Sequence, residues 1–256
     1  MSNEMRNDEP EVLAEGTLIS HLVELRSRIL RAVLAVAIAF VCLVPFAQEI
    51  FTIVARPLTS VLLGDMIAIG PGSPFMTPLK TTFFVALFVA MPAVLYQAWA
   101  FVAPGLYRRE KRLAFPLLAS SIVLFYVGVA FAYYVVFPLM FAFFVSMTPE
   151  TVTMMTDIGE YLGFVLTLFA AFGVSFEVPV ATVLLIATGL IDGETLRRSR
   201  PYVLVGAFVA GMLLTPQDVL SQILMAVPMY LLFEGGLIMA RVLLPEKMTA
   251  AAAGSA

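Results

Sequence analysis

The stretch YLGFVLTLFAAFGVSFEVPVATVLLIATGL, residues 161–190, decides the fold. Its thirty residues are almost all apolar, and a run longer than about 18 apolar residues predicts a transmembrane helix. The run contains one carboxylate, Glu177. A carboxylate at membrane depth costs at least about 2.5 kcal/mol, so it should face protein or water and not lipid. Pro179 removes a backbone donor and frees carbonyls near Ser175. We therefore expect Glu177 to need a partner, and a hydroxyl inside the bundle would make it a satisfied structural carboxylate.

The whole chain has the composition of a membrane protein. Hydrophobic residues make up 61% and charged residues 13%, far from the soluble range. Apolar runs fall at about residues 30–47, 81–102, 115–147, 161–190, 202–214 and 219–233, and Pro138 is expected to bend the third. We predict an all-α integral membrane protein with six transmembrane helices. The last two spans are short against the roughly 20 residues that cross a bilayer, which predicts local membrane thinning.

Basic residues are distributed unequally between the two sides. Thirteen Lys and Arg residues fall on one side of the predicted spans, and only Arg56 and Lys80 fall on the other. By the positive-inside rule, both termini should be cytoplasmic, in a multi-pass protein of the bacterial cytoplasmic (inner) membrane.

Three segments are expected. Residues 1–16 form an acidic, disordered leader, and residues 17–244 form the six-span domain, which begins with an amphipathic interfacial helix. The connection at 48–76 keeps enough apolar residues for a short interfacial helix. Residues 245–256 form a flexible low-complexity tail, with the alternative that part of it is a cloning remnant.

Catalytic chemistry is hard to build from this sequence. His21 and Cys42 are the only residues of their kinds, which excludes a His/Cys metal cluster. None of the lysines follows a glycine, so there is no phosphate-binding Gly-Lys loop. We expect no enzyme activity, cofactor, metal site or nucleic-acid partner.

Two glutamates on the predicted cytoplasmic side are the remaining candidates. Glu24 can pair with Arg28 one helical turn later, and Glu110 lies in a mixed-charge loop, so each alone is explained as a solvated surface group. Both, however, could present a carboxylate to a guanidinium, which binds carboxylates with two prongs.

The sequence HLVELR at 21–26 resembles the N-terminal signature of TatC, the multi-span subunit of the twin-arginine protein translocase. The resemblance covers about residues 17–241. Its further motifs are SPF at 73–75, TPLK at 77–80, WAF at 99–101, AP at 103–104, LY at 106–107, FAY at 131–133, FP at 137–138, SFEVP at 175–179, RPY at 200–202 and TP at 215–216.

The resemblance implies a receptor that binds twin-arginine signal peptides of folded precursors. It also implies single-span partners of the TatA and TatB type, transport driven by the proton-motive force, and a homo-oligomer within a receptor complex in the lipid bilayer. The residues that match signal-peptide positions are Glu24, Glu110, Arg26, Phe101, Pro57, Pro104 and Tyr107. Those that match partner-helix positions are Glu177, Thr215 and Gln222, and those that match far-side positions of unsettled role are Tyr133, Asp157 and Asp218.

The alternative is a secondary transporter with Glu177 as an ion- or proton-coupling site. A transporter should show internal repeats and more than one intramembrane carboxylate, and we see no inverted repeat between the halves. Its substrate would be small, and it would have no use for two cytoplasmic glutamates.

Overall fold

The computed structural model describes residues 9–59, 67–102, 114–149, 157–214 and 219–245, and these ranges are helical apart from short turns. The α-helices are α1 (Glu9–Leu43), α2 (Ala47–Thr59), α3 (Ser73–Val102), α4 (Ala114–Phe131), α5 (Phe137–Met147), α6 (Ile158–Ser175), α7 (Val178–Ala187), α8 (Gly193–Arg198), α9 (Arg200–Leu214) and α10 (Val219–Leu243). Within the described residues, five helical segments are long and apolar enough to cross a membrane, and a shorter apolar helix spans Arg200–Leu213. The prediction of an all-α membrane protein with six apolar spans is confirmed.

The N-terminal region contains two consecutive α-helices. Helix α1 begins at Glu9, within residues 1–16, which were expected to form a disordered leader. A 3₁₀ turn, Val44–Phe46, contains Pro45 and joins α1 to α2. Helix α2 lies in the connection for which a short interfacial helix was predicted.

The third apolar run changes geometry just before its proline. A π-helical turn, Ala132–Val136, separates α4 from α5, and the N–H of Phe137 donates to the carbonyl of Ala132, five residues earlier. The ring of Pro138 conflicts with the carbonyl four residues before it, so the helix widens in the preceding turn. The irregularity is therefore upstream of Pro138, the residue at which a bend was expected.

The fourth run forms two helices, whereas one transmembrane helix was predicted. Helix α6 ends at Ser175 and α7 begins at Val178, with Phe176 and Glu177 in the turn between them. Pro179 is at the start of α7, where a missing N–H is tolerated. The proline thus explains why the thirty-residue run is divided beside its carboxylate.

The two C-terminal helices differ in length. Helix α9 has 15 residues, a short span as predicted. Helix α10 has 25 residues and continues to Leu243, ten positions beyond the end expected at Phe233. The helix continues because Glu234 is ion-paired to Arg200 and is followed by further apolar residues.

Two apolar clusters hold the bundle together. The first joins α3, α4, α5 and α6 around Phe125, Phe137 and Phe172, and the second joins α7 and α10 to the end of α3 at Trp99. Helix α1 packs mainly on α3 and leaves much of its apolar surface exposed. Helices α7 and α10 approach so closely at Gly236 that a Cβ there would lie 2.8 Å from a backbone atom of α7. Small residues permit such contacts between membrane helices.

Candidate functional site

Glu24 and Arg28 form an ion pair where α1 meets the C-terminal part of α3. Nη2 of Arg28 donates to Oε1 of Glu24 at 3.1 Å, and Nη1 donates to Oε1 of Gln97 on α3 at 3.4 Å. The side chains of Arg28 and Glu24 are 23% and 36% exposed, so the carboxylate is supported by protein and still reachable from solvent. The i,i+4 pairing that the sequence suggested is present, and α3 adds a partner from outside the helix.

Phe101 stacks on His21, which precedes Glu24 by about one helical turn. The ring centroids are 4.3 Å apart with an interplanar angle of 27°. The stack joins α1 to the end of α3, close to the point where Arg28 contacts Gln97 on the same helix. His21 was not among the predicted site residues, and its place one helical turn before Glu24 was the available signal.

Arg26 points away from the Glu24 pair. At about 100° per residue, it lies roughly 200° around α1 from both Glu24 and Arg28. It is exposed and lines a different groove on α1, together with Arg31. The structure therefore joins Phe101 to α1 through His21 and places Arg26 on another side of that helix.

Several predicted site residues lie outside the described residues. They are Glu110, Pro104, Tyr107, Thr215 and Asp218. Pro57 belongs to α2, but its side chain is likewise outside the description.

Glu177 is half-buried at the break between α6 and α7. Its backbone carbonyl accepts from Ala181 at 2.8 Å. The hydroxyl of Ser121 on α4 interacts with its carboxyl group, while Oε1 is buried without a hydrogen-bond partner among the described residues. Ser121 in turn accepts from the indole Nε1 of Trp99 at 3.2 Å. The expected hydroxyl neighbour is present, but it leaves one carboxyl oxygen unsatisfied.

Gln222 already has a partner inside the chain. Its amide donates to the carbonyl of Phe208 on α9 at 3.0 Å, and its backbone lies against Gly211. Its side chain therefore joins α10 to α9.

A second link between α9 and α10 was missed at the sequence level. Arg200 Nη2 donates to Glu234 Oε2 at 2.7 Å, and the Tyr230 hydroxyl donates to Oε1 of the same carboxylate at 3.0 Å. An acid within an otherwise apolar helix and an arginine at the start of the preceding helix were the signal for this pair.

Asp157 caps α6 and fastens the segment before α3. Its Oδ1 accepts from the backbone N–H groups of Gly159 and Glu160, and its Oδ2 accepts from the N–H of Ile69 at 3.0 Å. The backbone N–H of Ile158 donates to the carbonyl of Ile67. The bond from Ile69, followed by that from Glu160, lowers the pKa of the Asp157 carboxyl group below its ordinary value. Asp157 thus has a structural role on the predicted far side.

Tyr133, the other described far-side residue, belongs to an aromatic cluster. Its ring contacts Tyr134 at 4.8 Å and Phe169 at 5.9 Å between centroids. The hydroxyl of Tyr161, in the same region, is buried and has no hydrogen-bond partner among the residues the structure describes. Across the described ranges, no three His, Cys, Asp or Glu residues are placed to hold a metal ion.

Comparisons with known proteins agree on one family. The profile described as "Sec-independent protein translocase protein (TatC)" matches residues 20–228. A protein of that name from Azotobacter chroococcum mcd 1 is 61% identical over 229 residues, which cover 89% of this chain and 90% of that protein. Its namesake in Escherichia coli strain K12 is 57% identical over 226 residues, which cover 88% of each chain. A crystal structure described as the twin arginine translocase receptor TatC superposes with a TM-score of 0.79 at 37% identity, covering 87% of this chain and 98% of that one.

Proposed function

Because the chain belongs to the TatC family of Sec-independent protein translocase proteins, we propose that it is the receptor for twin-arginine signal peptides of folded precursors. Members of this family are translocase components, and the described helices make this chain a multi-pass inner-membrane protein. In the proposal, it also organises single-span partners of the TatA and TatB type for export driven by the proton-motive force.

The observation that carries the proposal is the state of the Glu24 carboxylate. It binds a guanidinium at 3.1 Å, remains 36% exposed and is supported from α3. Because the Glu24 carboxylate already binds the guanidinium of Arg28, it has the chemistry needed to bind an arginine of a signal peptide. Lysine lacks the planar fork, so such a site favours arginine over lysine.

Glu110 is proposed as the acid that receives the second signal arginine. The predicted topology puts its loop on the same side of the membrane as Glu24. Phe101, through its stack on His21, would form the wall of the site. Arg26, Pro57, Pro104 and Tyr107 would shape or support the same surface; for Arg26, which faces away from Glu24, that role is indirect.

The test is the affinity of a labelled twin-arginine signal peptide for the purified protein in nanodiscs. Glu24→Ala and Glu110→Ala should each weaken binding by about 2–5 kcal/mol, because each leaves a partly desolvated arginine without its partner. A twin-lysine peptide also binds through Glu24 but lacks the planar fork, so it should bind more weakly and lose less affinity in these variants. Raised salt should weaken wild-type binding. Glu49→Ala removes an exposed carboxylate on the predicted opposite side and should leave the affinity unchanged. A double variant of Glu24 and Glu110 that still prefers arginine to lysine would refute the proposal.

Partner helices are proposed to dock near Glu177, Thr215 and Gln222. The unsatisfied Oε1 of Glu177 supports this, because a polar group on a partner helix could complete its hydrogen bonds. Gln222 would have to exchange its bond to Phe208 for one to the partner. Gln222→Leu should reduce partner crosslinking and leave signal-peptide binding intact; unchanged crosslinking would assign Gln222 to α9–α10 packing alone.

A further inference from the structure

The carboxylate proposed to receive a signal arginine is occupied by an arginine of the same chain. Arg28 donates to Glu24 at 3.1 Å from one helical turn away. A peptide arginine that binds Glu24 through the same oxygen must therefore displace the guanidinium of Arg28. The internal arginine and the incoming arginine are chemically the same ligand.

A peptide arginine can bind the Glu24 carboxylate with a stronger hydrogen-bond geometry than Arg28 does. Its Nη2 contacts Glu24, whereas its Nη1 contacts Gln97 on α3, so the guanidinium divides its donors between two acceptors. A free arginine can present two parallel N–H groups to both oxygens of one carboxylate, which is the stronger geometry. Displacement also leaves Arg28 an acceptor, because Gln97 remains in place.

We propose that Arg28 is an internal competitor for Glu24 and that it determines how strongly the receptor binds its ligands. The inference rests on the proposed function, since it assumes that Glu24 receives a signal arginine. In the free receptor Arg28 covers Glu24, and in the bound receptor it keeps only its contact to Gln97. The affinity of every peptide that uses Glu24 is then lowered by the same factor, so a peptide with a weak basic motif binds too weakly to occupy the receptor.

If Arg28 competes for Glu24, its removal should change peptide affinities in a different way than if Arg28 shapes the site. When only a fraction of the receptor is free to bind, the apparent affinity of every ligand that uses Glu24 falls by the same factor. Removing Arg28 should therefore tighten twin-arginine and twin-lysine peptides equally and leave the ratio of their affinities unchanged. If Arg28 instead shaped the site around the ligand, its removal would change that ratio.

The experiment measures both peptides against Arg28→Gln and Arg28→Lys in nanodiscs. Arg28→Gln should tighten binding of each peptide about two- to fivefold, the range expected when a partly exposed ion pair is removed as a competitor. Arg28→Lys keeps the net charge but loses the planar fork, so a smaller tightening is expected with no change in long-range electrostatics. Arg31→Gln is the matched control: it removes one exposed positive charge three residues later on α1.

The outcomes distinguish an Arg28 that competes for Glu24 from an Arg28 that shapes the site. Tightening by Arg28→Gln beyond that of Arg31→Gln, with a constant ratio between the peptides, supports the competitor. Weaker binding by both Arg28 variants, a changed ratio, or an effect equal to that of Arg31→Gln overturns it while the receptor function stands. A wild-type protein that does not distinguish the two peptides refutes the proposed function itself, and the competitor with it.

Discussion

Replacing Gly236 by alanine is expected to force α10 away from α7. The added Cβ would lie 2.8 Å from Cα of Pro179 and 2.9 Å from Cβ of Thr182. Neither atom can rotate away, because one is backbone and the other is fixed to it, so the helices must separate. Overpacking of this kind costs about 1–3 kcal/mol. At the neighbouring Gly235, an added Cβ would have nothing within 4 Å, so Gly235→Ala is a matched control.

The comparison isolates the packing cost. Both variants gain about the same helix propensity, roughly 1 kcal/mol, so the difference between them should equal the overpacking cost of about 1–3 kcal/mol. Unfolding of the purified protein by SDS in mixed micelles can be followed through Trp99, the sole tryptophan, which is buried in the α7–α10 cluster. Equal stability of the two variants would refute the close approach of α7 and α10 at Gly236.

Three further predictions concern other parts of the chain. Asp157→Ala should lower the melting temperature, and Asp157→Asn, which keeps an acceptor, should lower it less; an unchanged melting temperature would argue against the cap. Folding lowers the pKa of the Asp157 carboxyl group below its ordinary value of 3.8. The stability that this group contributes is therefore fully present above pH 3.8 and is lost as the pH falls through the lowered pKa. The alanine variant should not show this pH-dependent loss of stability. Arg200→Gln and Glu234→Gln should be coupled by about 1 kcal/mol in a double-mutant cycle of unfolding, and additive effects would mean that their 2.7 Å contact contributes little. In a cysteine-labelling experiment, an impermeant reagent should modify position 73 from outside the cell (Ser73→Cys) but not position 199 (Ser199→Cys); the reverse pattern would invert the predicted topology.

The sequence was sufficient for the number of apolar spans but not for the break in the fourth of them. Long apolar runs predict spans because a helix satisfies its own backbone in lipid. The run 161–190 was expected to be one helix, although Pro179, which cannot donate a backbone hydrogen bond, lies at the start of α7. The position of the irregularity near Pro138 was less predictable, since the chain can absorb a lost donor by bending at the proline or by widening the turn before it.

The contacts of the site depended on which helices become neighbours. The i,i+4 pair of Glu24 and Arg28 could be predicted from spacing alone. The contact of Arg28 with Gln97 and the stack of His21 on Phe101, however, join residues about 70 or more positions apart in the sequence. The same holds for Ile69 on Asp157, which joins segments 88 positions apart. Local periodicity carries no information about such partners, so their roles required the packed structure.

The π-helical turn at 132–136 has a consequence for how related sequences can be aligned. Such a turn is equivalent to one residue inserted into an α-helix, and each residue of an α-helix advances its faces by about 100°. In a relative without the π-helical turn, this segment would be a regular α-helix. The helix after it would face α6 in the same orientation only if the relative had one residue fewer at positions 132–136. A single-residue gap in this region would therefore preserve the face that carries Phe137, Met140 and Phe141, whereas an ungapped comparison with such a relative would assign those buried positions to the wrong side of the helix.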